Sequence, residues 1–367
     1  MQFGVELTPR SEVPRWLVYA TPVFTILAAL AVSSVALLAL DVAPLEAYRV
    51  LFVQTLTTEF GIRETLVEAV PLILAGLAVY LPLKAGLWNV GAEGQLVLGA
   101  VASTWVGLNV SLPAVFLLPL MFLAATVVGA IWAGVPAILK AKWDINEIIT
   151  TLLLTFVAAD VMSYLVRGPM QSPTGNFPQT AILPAAAQLP ILPGLDVHAG
   201  LVVALVAAVL VYLLMTRTRF GFEVTFVGSN DAAAEHAGMS KTRVYVLVLV
   251  IGGVLAAFAG VAEIAGNQAR LRAAFEPGYG FTAIPIALLG RDNALNVVLA
   301  GLFFAVLFVG GDSLSILMGV PAALIEIIQA LIILFLITAE FFKRYSVDIS
   351  TDLRVRGVRA DAVGEDH

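Results

Sequence analysis

Long apolar stretches alternate with short polar ones along most of the chain. Nine of the apolar stretches are long enough to cross the hydrocarbon core of a bilayer, which takes roughly 17–25 helical residues. These candidate spans are 16–40, 65–83, 88–108, 112–139, 145–166, 198–216, 243–265, 294–311 and 320–342. A tenth stretch, 281–290, is too short to cross alone, so it predicts half of a broken or re-entrant helix that is buried in protein or lines a cavity.

The composition indicates the same class of protein. Of the residues, 60% are hydrophobic and 13% are charged, whereas soluble domains average about 45–50% apolar and about 25% charged residues. The first span, 16–40, is too long for a signal-peptide core and has no small-residue cleavage site before Asp41, so we expect it to be retained. The pattern predicts an all-α polytopic membrane protein, a bundle of eight to ten transmembrane helices.

Basic residues near the ends of the spans predict the side of the membrane on which each loop lies. They are Arg10, Arg15, Lys140, Lys142, Arg217, Arg219, Lys241, Arg243, Lys343 and Arg344. By the positive-inside bias, the loop 217–243 and both termini are cytoplasmic, which requires an even number of crossings. We expect a cytoplasmic tail over 1–15, one transmembrane domain over 16–342 with an external loop over 167–197, and a cytoplasmic tail over 343–367.

Small residues recur every four positions in two of the spans. The two series are Ala125, Gly129 and Ala133, and Gly252, Ala256 and Gly260. Each series places a stripe of small side chains on one helix face, where a neighbouring backbone can approach closely. The stripes favour helix–helix packing, although small residues are common in membrane helices in general.

The loop 217–243 contains a short stretch with the pattern of a helix between Gly228 and Gly238. Asn230 is placed to cap the start of this helix, and Gly238 is placed to end it in a left-handed turn. Three successive alanines, 232–234, provide small side chains that allow a close approach by another protein. The pattern therefore predicts a cytoplasmic helix that docks into a partner.

Polar residues interrupt the apolar context of the segment Gly86–Ala100. Asn89, Glu93 and Gln95 lie within it, and four glycines free its backbone to unwind. Because an ionisable group at membrane depth is costly, we expect Glu93 to face the bundle interior and to have a partner.

Two further polar groups lie at the ends of spans. Asp144 and Glu147 have the spacing of a capping box at the start of the fifth span. Asn146 and Glu147 are alternatively helix–helix contacts. Glu326 and Gln329 are spaced to lie on one face of the last span. If Glu93, Glu147 and Glu326 formed a relay for protons or sodium ions, the chain would be a secondary transporter driven by an ion gradient.

The residues give no indication of an enzyme. Cysteine is absent, the three histidines lack metal-ligand spacing, and there is no serine–histidine–aspartate set. The phosphate-binding loop of ATPases is also missing, so the chain does not itself hydrolyse ATP by that route.

The interval Phe220–Met239 resembles the cytoplasmic coupling segment of permease subunits in the ribose and branched-chain amino acid group of ABC importers. The positions that carry the resemblance, and which it implies are in contact with the ATPase, are Gly228, Asn230, Ala233, Ala234, Ala237 and Gly238. The stretch Gly86-Leu-Trp-Asn-Val-Gly-Ala-Glu-Gly-Gln resembles the nucleoside-type branch of that group. The run that begins at Asn146 and the loop that contains Pro178-Gln-Thr resemble it as well.

This resemblance implies a division of labour among several chains. The permease would pair with a second, different permease chain, two partner ATPase subunits would bind ATP and Mg²⁺ and drive the coupling helices, and an extracytoplasmic binding protein would deliver a nucleoside. The candidate substrate-path residues are then Trp88, Asn89, Glu93, Gln95, Asn146 and Glu147. A permease for simple sugars such as ribose or galactose is the alternative within the same class. The chain itself would have no catalytic site.

Overall fold

The computed structural model describes residues 3–9, 15–173 and 177–351. Its longer helices are α1 (Arg15–Leu38), α4 (Glu59–Lys84), α5 (Ala92–Asn109), α6 (Ala114–Trp143), α7 (Glu147–Arg167), α8 (Gly200–Arg217), α11 (Lys241–Glu263), α13 (Ala294–Met318) and α14 (Ala322–Arg344). The shorter helices are α2 (Pro44–Tyr48), α3 (Thr55–Thr57), α9 (Arg219–Ser229), α10 (Asp231–His236) and α12 (Tyr279–Leu289). Two strands, β1 (Phe3–Pro9) and β2 (Tyr345–Thr351), lie near the ends of the chain.

The helices confirm the prediction of an all-α membrane bundle. Each of the ten predicted segments corresponds to a helix, and six helices within the described residues are long and apolar enough to cross a membrane: α4, α6, α7, α8, α11 with the turn that follows it, and α13. As predicted, α12 is a short helix, since 11 residues rise only about 16 Å.

The segment between the first two predicted spans is a difference from the prediction. Residues 44–57 form α2, a π-helical turn over Arg49–Gln54, and α3. Their apolar residues are interrupted by Glu46, Arg49 and Gln54, so this stretch is too short and too polar to be recognised as a span.

The chain forms two compact units. The first consists of the described residues within 1–35 and 330–351, and within it β1 pairs antiparallel with β2, from Phe3 opposite Thr351 to Pro9 opposite Tyr345. Neither strand is predicted by the sequence pattern. Residues 1–2, 10–14 and 352–367 of the two predicted tails lie outside the described residues.

The second unit, residues 36–329, is built around α4 and α11. Every residue of α4 from Ala69 to Leu83 is buried, and α11 packs against α4, α5 and α6. Both predicted stripes of small residues lie at these contacts. A Cβ atom on Gly129 would come within 2.5 Å of the Gly253 carbonyl oxygen, and a Cβ atom on Gly252 would come within 2.6 Å of the Ala78 carbonyl oxygen.

Candidate functional site

The polar interval between α8 and α11 folds as two short helices. The hydroxyl of Thr218 accepts a hydrogen bond from the Gly221 backbone N–H at 3.2 Å and caps α9. The Asn230 side chain accepts from the Ala233 N–H at 2.9 Å and caps α10, and Gly238 follows with φ +78°. The predicted cap and left-handed turn are therefore confirmed, whereas α9 is not predicted.

The three alanines of α10 do not share one face. Ala232 is exposed, Ala233 is half-buried, and Ala234 is completely buried within the protein. Successive residues of a helix point about 100° apart, so three in a row spread over most of its circumference. The outer surface of α10 and its following turn is formed by Ala232, Glu235, His236, Ala237 and Gly238.

Two contacts attach α9 and α10 to the bundle. Gly228 packs directly on the Lys84 carbonyl and on Ala85, at the end of α4, where a side chain would not fit. The Lys241 Nζ atom lies 2.5 Å from an Asp231 carboxylate oxygen, and this hydrogen-bonded ammonium holds the pKa of the Asp231 carboxyl below its usual value. The segment is thus linked to the ends of both central helices.

The predicted capping box at the start of α7 is wrong. Asn146 caps this helix, since its side-chain oxygen accepts from the Ile148 N–H at 2.8 Å and the Ile149 N–H at 3.4 Å. Asp144 instead ends α6 with φ +51°. Its carboxylate lies 2.8 Å from Lys140 Nζ, which also approaches the buried Glu147 at 3.3 Å. The hydrogen bond and charge of Lys140 lower the pKa of Asp144.

The segment between α4 and α5 is non-helical over 85–91, as its glycines predict, and Gly86 has φ +79°. Asn89 and Gln95 are buried and exchange two side-chain hydrogen bonds of 2.9 Å. Asn89 also donates to the Ala78 carbonyl at 3.2 Å, while Trp88 is half-buried. The two amides hold the backbone break in place, and their hydrogen bonds are made within the chain.

Glu93 is buried and has hydrogen-bond partners, as the cost of a charge at membrane depth predicts. It is 3% exposed, and its carboxylate accepts hydrogen bonds from the Gly278 N–H at 2.8 Å and the Gly280 N–H at 2.5 Å. These groups belong to the start of α12, which is 185 and 187 positions away along the chain. Sequence alone gives no indication of this pairing.

The carboxylates of the alternative ion relay have different surroundings: Glu93 contacts α12, and Glu147 lies near Lys140. Glu326 is exposed, while Gln329 donates to the Leu307 carbonyl at 3.1 Å. Glu263, which the sequence analysis does not single out, is 2% exposed and accepts from Asn267 at 3.1 Å and Gln268 at 2.9 Å. The four-residue spacing from Glu263 to Asn267 is the signal that would have indicated the first contact. The contact with Gln268, five positions on, depends on the π-helical turn Ile264–Gln268.

Among the described residues no cluster of three or more histidine, aspartate or glutamate side chains could hold a metal ion. His198 is buried just before α8, where its Nδ1 atom accepts from the Gly200 N–H at 3.2 Å and its ring packs on Gly266. Burial lowers the pKa of His198 to about 4. Its role is therefore that of a neutral core residue.

The bundle, the short helix α12 and the two short polar helices α9 and α10 together define a multi-pass membrane protein. The chain belongs to the family of the branched-chain amino acid transport system permease component, whose pattern matches residues 61–337. It is an ABC transporter permease, and permease subunits of this kind are not the catalytic part of the transporter. The predicted family is confirmed, and the alternative of an ion-coupled secondary transporter is wrong.

Three relatives show the range of cargoes within this family. A glucose ABC transporter permease of Haloferax volcanii is 66% identical over 377 residues, which covers 100% of this chain and 99% of that protein. A guanosine ABC transporter permease of Bacillus subtilis is 36% identical and covers 75% of this chain and 80% of that protein. A nucleoside ABC transporter permease of Lactococcus lactis is 29% identical and covers 86% and 89%.

Proposed function

We propose that this chain is the permease subunit of an ATP-driven importer for a hexose of the glucose type. The observation that carries the proposal is the identity of 66% to a glucose permease along the full length of both proteins. The sequence predicts a nucleoside, with a simple sugar as the alternative. The similarity now favours the alternative.

A nucleoside remains the second candidate. It is supported by the relative of Bacillus subtilis at 36% identity and by the stretch Gly86–Gln95, which resembles nucleoside-type permeases. Glucose and nucleosides are both neutral molecules that present several hydroxyl groups on rings. One bundle architecture with different contact residues would therefore suit either cargo.

The hydrogen bonds of the buried polar residues bear on the predicted substrate path. Asn89 and Gln95 bond to each other, Glu147 is close to Lys140, and Asn146 caps α7. Because a group whose hydrogen bonds are already satisfied gains little from a ligand, we assign these residues to the structure of the permease. The half-buried Trp88 remains the candidate for cargo contact.

The proposed partners follow from the outer surface of α10. In this proposal, ATP and Mg²⁺ are held by a separate ATPase subunit that contacts Ala232, Glu235 and the turn at Ala237–Gly238. A second permease chain completes the membrane unit, and an extracytoplasmic binding protein delivers the cargo near the loop 167–197. The contacts of Gly228 with α4 and of Asp231 with α11 support transmission of movement from that subunit into the bundle.

We further propose that the α9–α10 segment and both termini lie in the cytoplasm. The basic residues at the adjoining ends of α6, α8 and α11 support this orientation. The pairing of β1 with β2 supports a common side for the two termini, since paired strands must lie on the same side of the membrane.

The test is uptake of labelled glucose, guanosine and adenosine by cells with and without the gene, at matched ATP levels. We expect uptake of glucose alone to be lost. Loss of nucleoside uptake alone would replace the hexose by the second candidate. If all three uptakes were unchanged in a strain that lacks other transporters for them, both cargo proposals would be wrong.

A further inference from the structure

Two helices of the second unit begin inside the protein rather than at its surface. Helix α5 starts at Ala92 after the non-helical residues 85–91, and α12 starts at Tyr279. Ala92, Glu93 and Tyr279 are all at most 6% exposed. The first N–H groups of a helix have no acceptor within the helix, so a buried helix start needs acceptors from elsewhere.

Helix α12 has no cap of its own. Its N-cap position is Gly278, which has no side chain and adopts φ +75°. Glu93 takes the place of the missing cap: one carboxylate oxygen accepts from the Gly278 N–H and the other from the Gly280 N–H, at 2.8 and 2.5 Å. A carboxylate at this position also interacts favourably with the positive end of the helix dipole.

Glycines at the junction allow the backbones to come this close. Gly280 packs on the backbone of Glu93 with no room for a Cβ atom. On the other side of α5, a Cβ atom on Gly91 would come within 2.8 Å of the Thr151 carbonyl oxygen, and one on Gly94 within 2.7 Å of the Thr155 Cα atom. The start of α5 is thus held between α7 and α12.

We propose that Glu93 is a positioning residue that fixes the start of the half-helix α12 to the start of α5, so that both helices move as one body during transport. Glu93 is 3% exposed and each of its carboxylate oxygens accepts a hydrogen bond from α12, so we assign it to this junction and not to cargo binding. The role does not depend on which cargo is carried.

The first test is the variant Glu93→Gln in the transporter complex reconstituted in lipid. The amide retains the size of the side chain but has only one acceptor oxygen, and its NH₂ group would face a backbone N–H. We expect the maximal transport rate per folded molecule to fall about tenfold, the loss that corresponds to one hydrogen bond to a charged group, with KM unchanged. Glu59→Gln, at the exposed start of α4, is the matched control and should leave both parameters unchanged.

The second test measures the position of α12 without any cargo. Because the chain contains no cysteine, a spin label on Phe281→Cys reports on α12 alone, and a label on Leu299→Cys reports on α13; these side chains are 43% and 66% exposed. With Glu93→Gln, the mobility of the label at 281 should rise while that at 299 stays the same. Gly280→Ala, which leaves the carboxylate intact but displaces α12, should have the same effect.

The two tests separate the alternatives. A higher KM with an unchanged maximal rate and an unchanged spectrum at 281 would show that Glu93 binds cargo, and would overturn the proposal. An unchanged spectrum with unchanged transport would overturn it as well. If Glu93→Gln did not fold, Glu93→Asp, which retains both oxygens on a shorter side chain, would be measured in the same way. Failure of the hexose proposal would leave the spin-label result intact, so the two proposals can fail separately.

Discussion

The substitution Ala234→Glu should unfold the α9–α10 segment locally rather than only disturb a docking surface. Ala234 is 0% exposed, and the ammonium of Lys241, at the start of α11, already pairs with Asp231. A buried charge that has lost or lacks its partner costs about 3–5 kcal/mol. Because α10 has only six residues, the segment would open locally instead of burying the carboxylate.

Hydrogen exchange of the backbone amides in residues 219–240 measures this opening. A cost of about 3 kcal/mol corresponds to a fall in protection of about two orders of magnitude. The matched variant Ala232→Glu adds the same charge at an exposed position of the same helix, so its effect on stability should be within about 0.5 kcal/mol. It should nevertheless weaken binding of the ATPase. Wild-type exchange in Ala234→Glu would refute the inward orientation of Ala234.

Three further predictions concern stability. The free energy of unfolding should fall by up to about 3 kcal/mol as pH falls from 6.5 towards 4, because the unfolded chain protonates His198 while the folded chain keeps it neutral. His198→Gln should remove this pH dependence from thermal melting curves. An unchanged dependence would contradict the assignment. Gly129→Ala should lower the free energy of unfolding by about 1–3 kcal/mol, because the new Cβ atom would meet α11. The Cβ atom of Gly134→Ala would have its nearest neighbour 4.0 Å away, so this variant should be neutral or stabilising by up to about 1 kcal/mol. Equal melting temperatures for the two variants would contradict the packing. Asn230→Ala should cost about 1 kcal/mol and speed exchange of the Ala233 amide, while Asn230→Asp should retain the cap.

The features that sequence predicts well depend on neighbouring residues. The ten apolar segments, the short helix α12 and the cap at Asn230 are set by local composition and by contacts within a few positions. A helix in a membrane must satisfy its backbone hydrogen bonds internally, so an apolar run of sufficient length has few alternatives.

The features that sequence does not predict depend on distant residues. The acceptor for the start of α12 is Glu93, far earlier in the chain, and the partner of Glu147 is Lys140 of the preceding helix. Likewise, three alanines in a row do not indicate which of them faces inward. Ala234 is buried because α10 lies against α9 and α11, and this orientation is decided by tertiary packing.

The pairing of β1 with β2 has a consequence for how the protein is made. Pro9 and Tyr345 are partners, so the ribosome must add about 340 residues after the first strand before the second exists. At about 5–20 residues per second, synthesis takes roughly 20 to 70 s over this interval. During that time β1 is an unpaired edge, which other chains can join. Strand β1, although it is synthesised first, is therefore among the last elements to be paired, and it is exposed to aggregation until β2 has been synthesised.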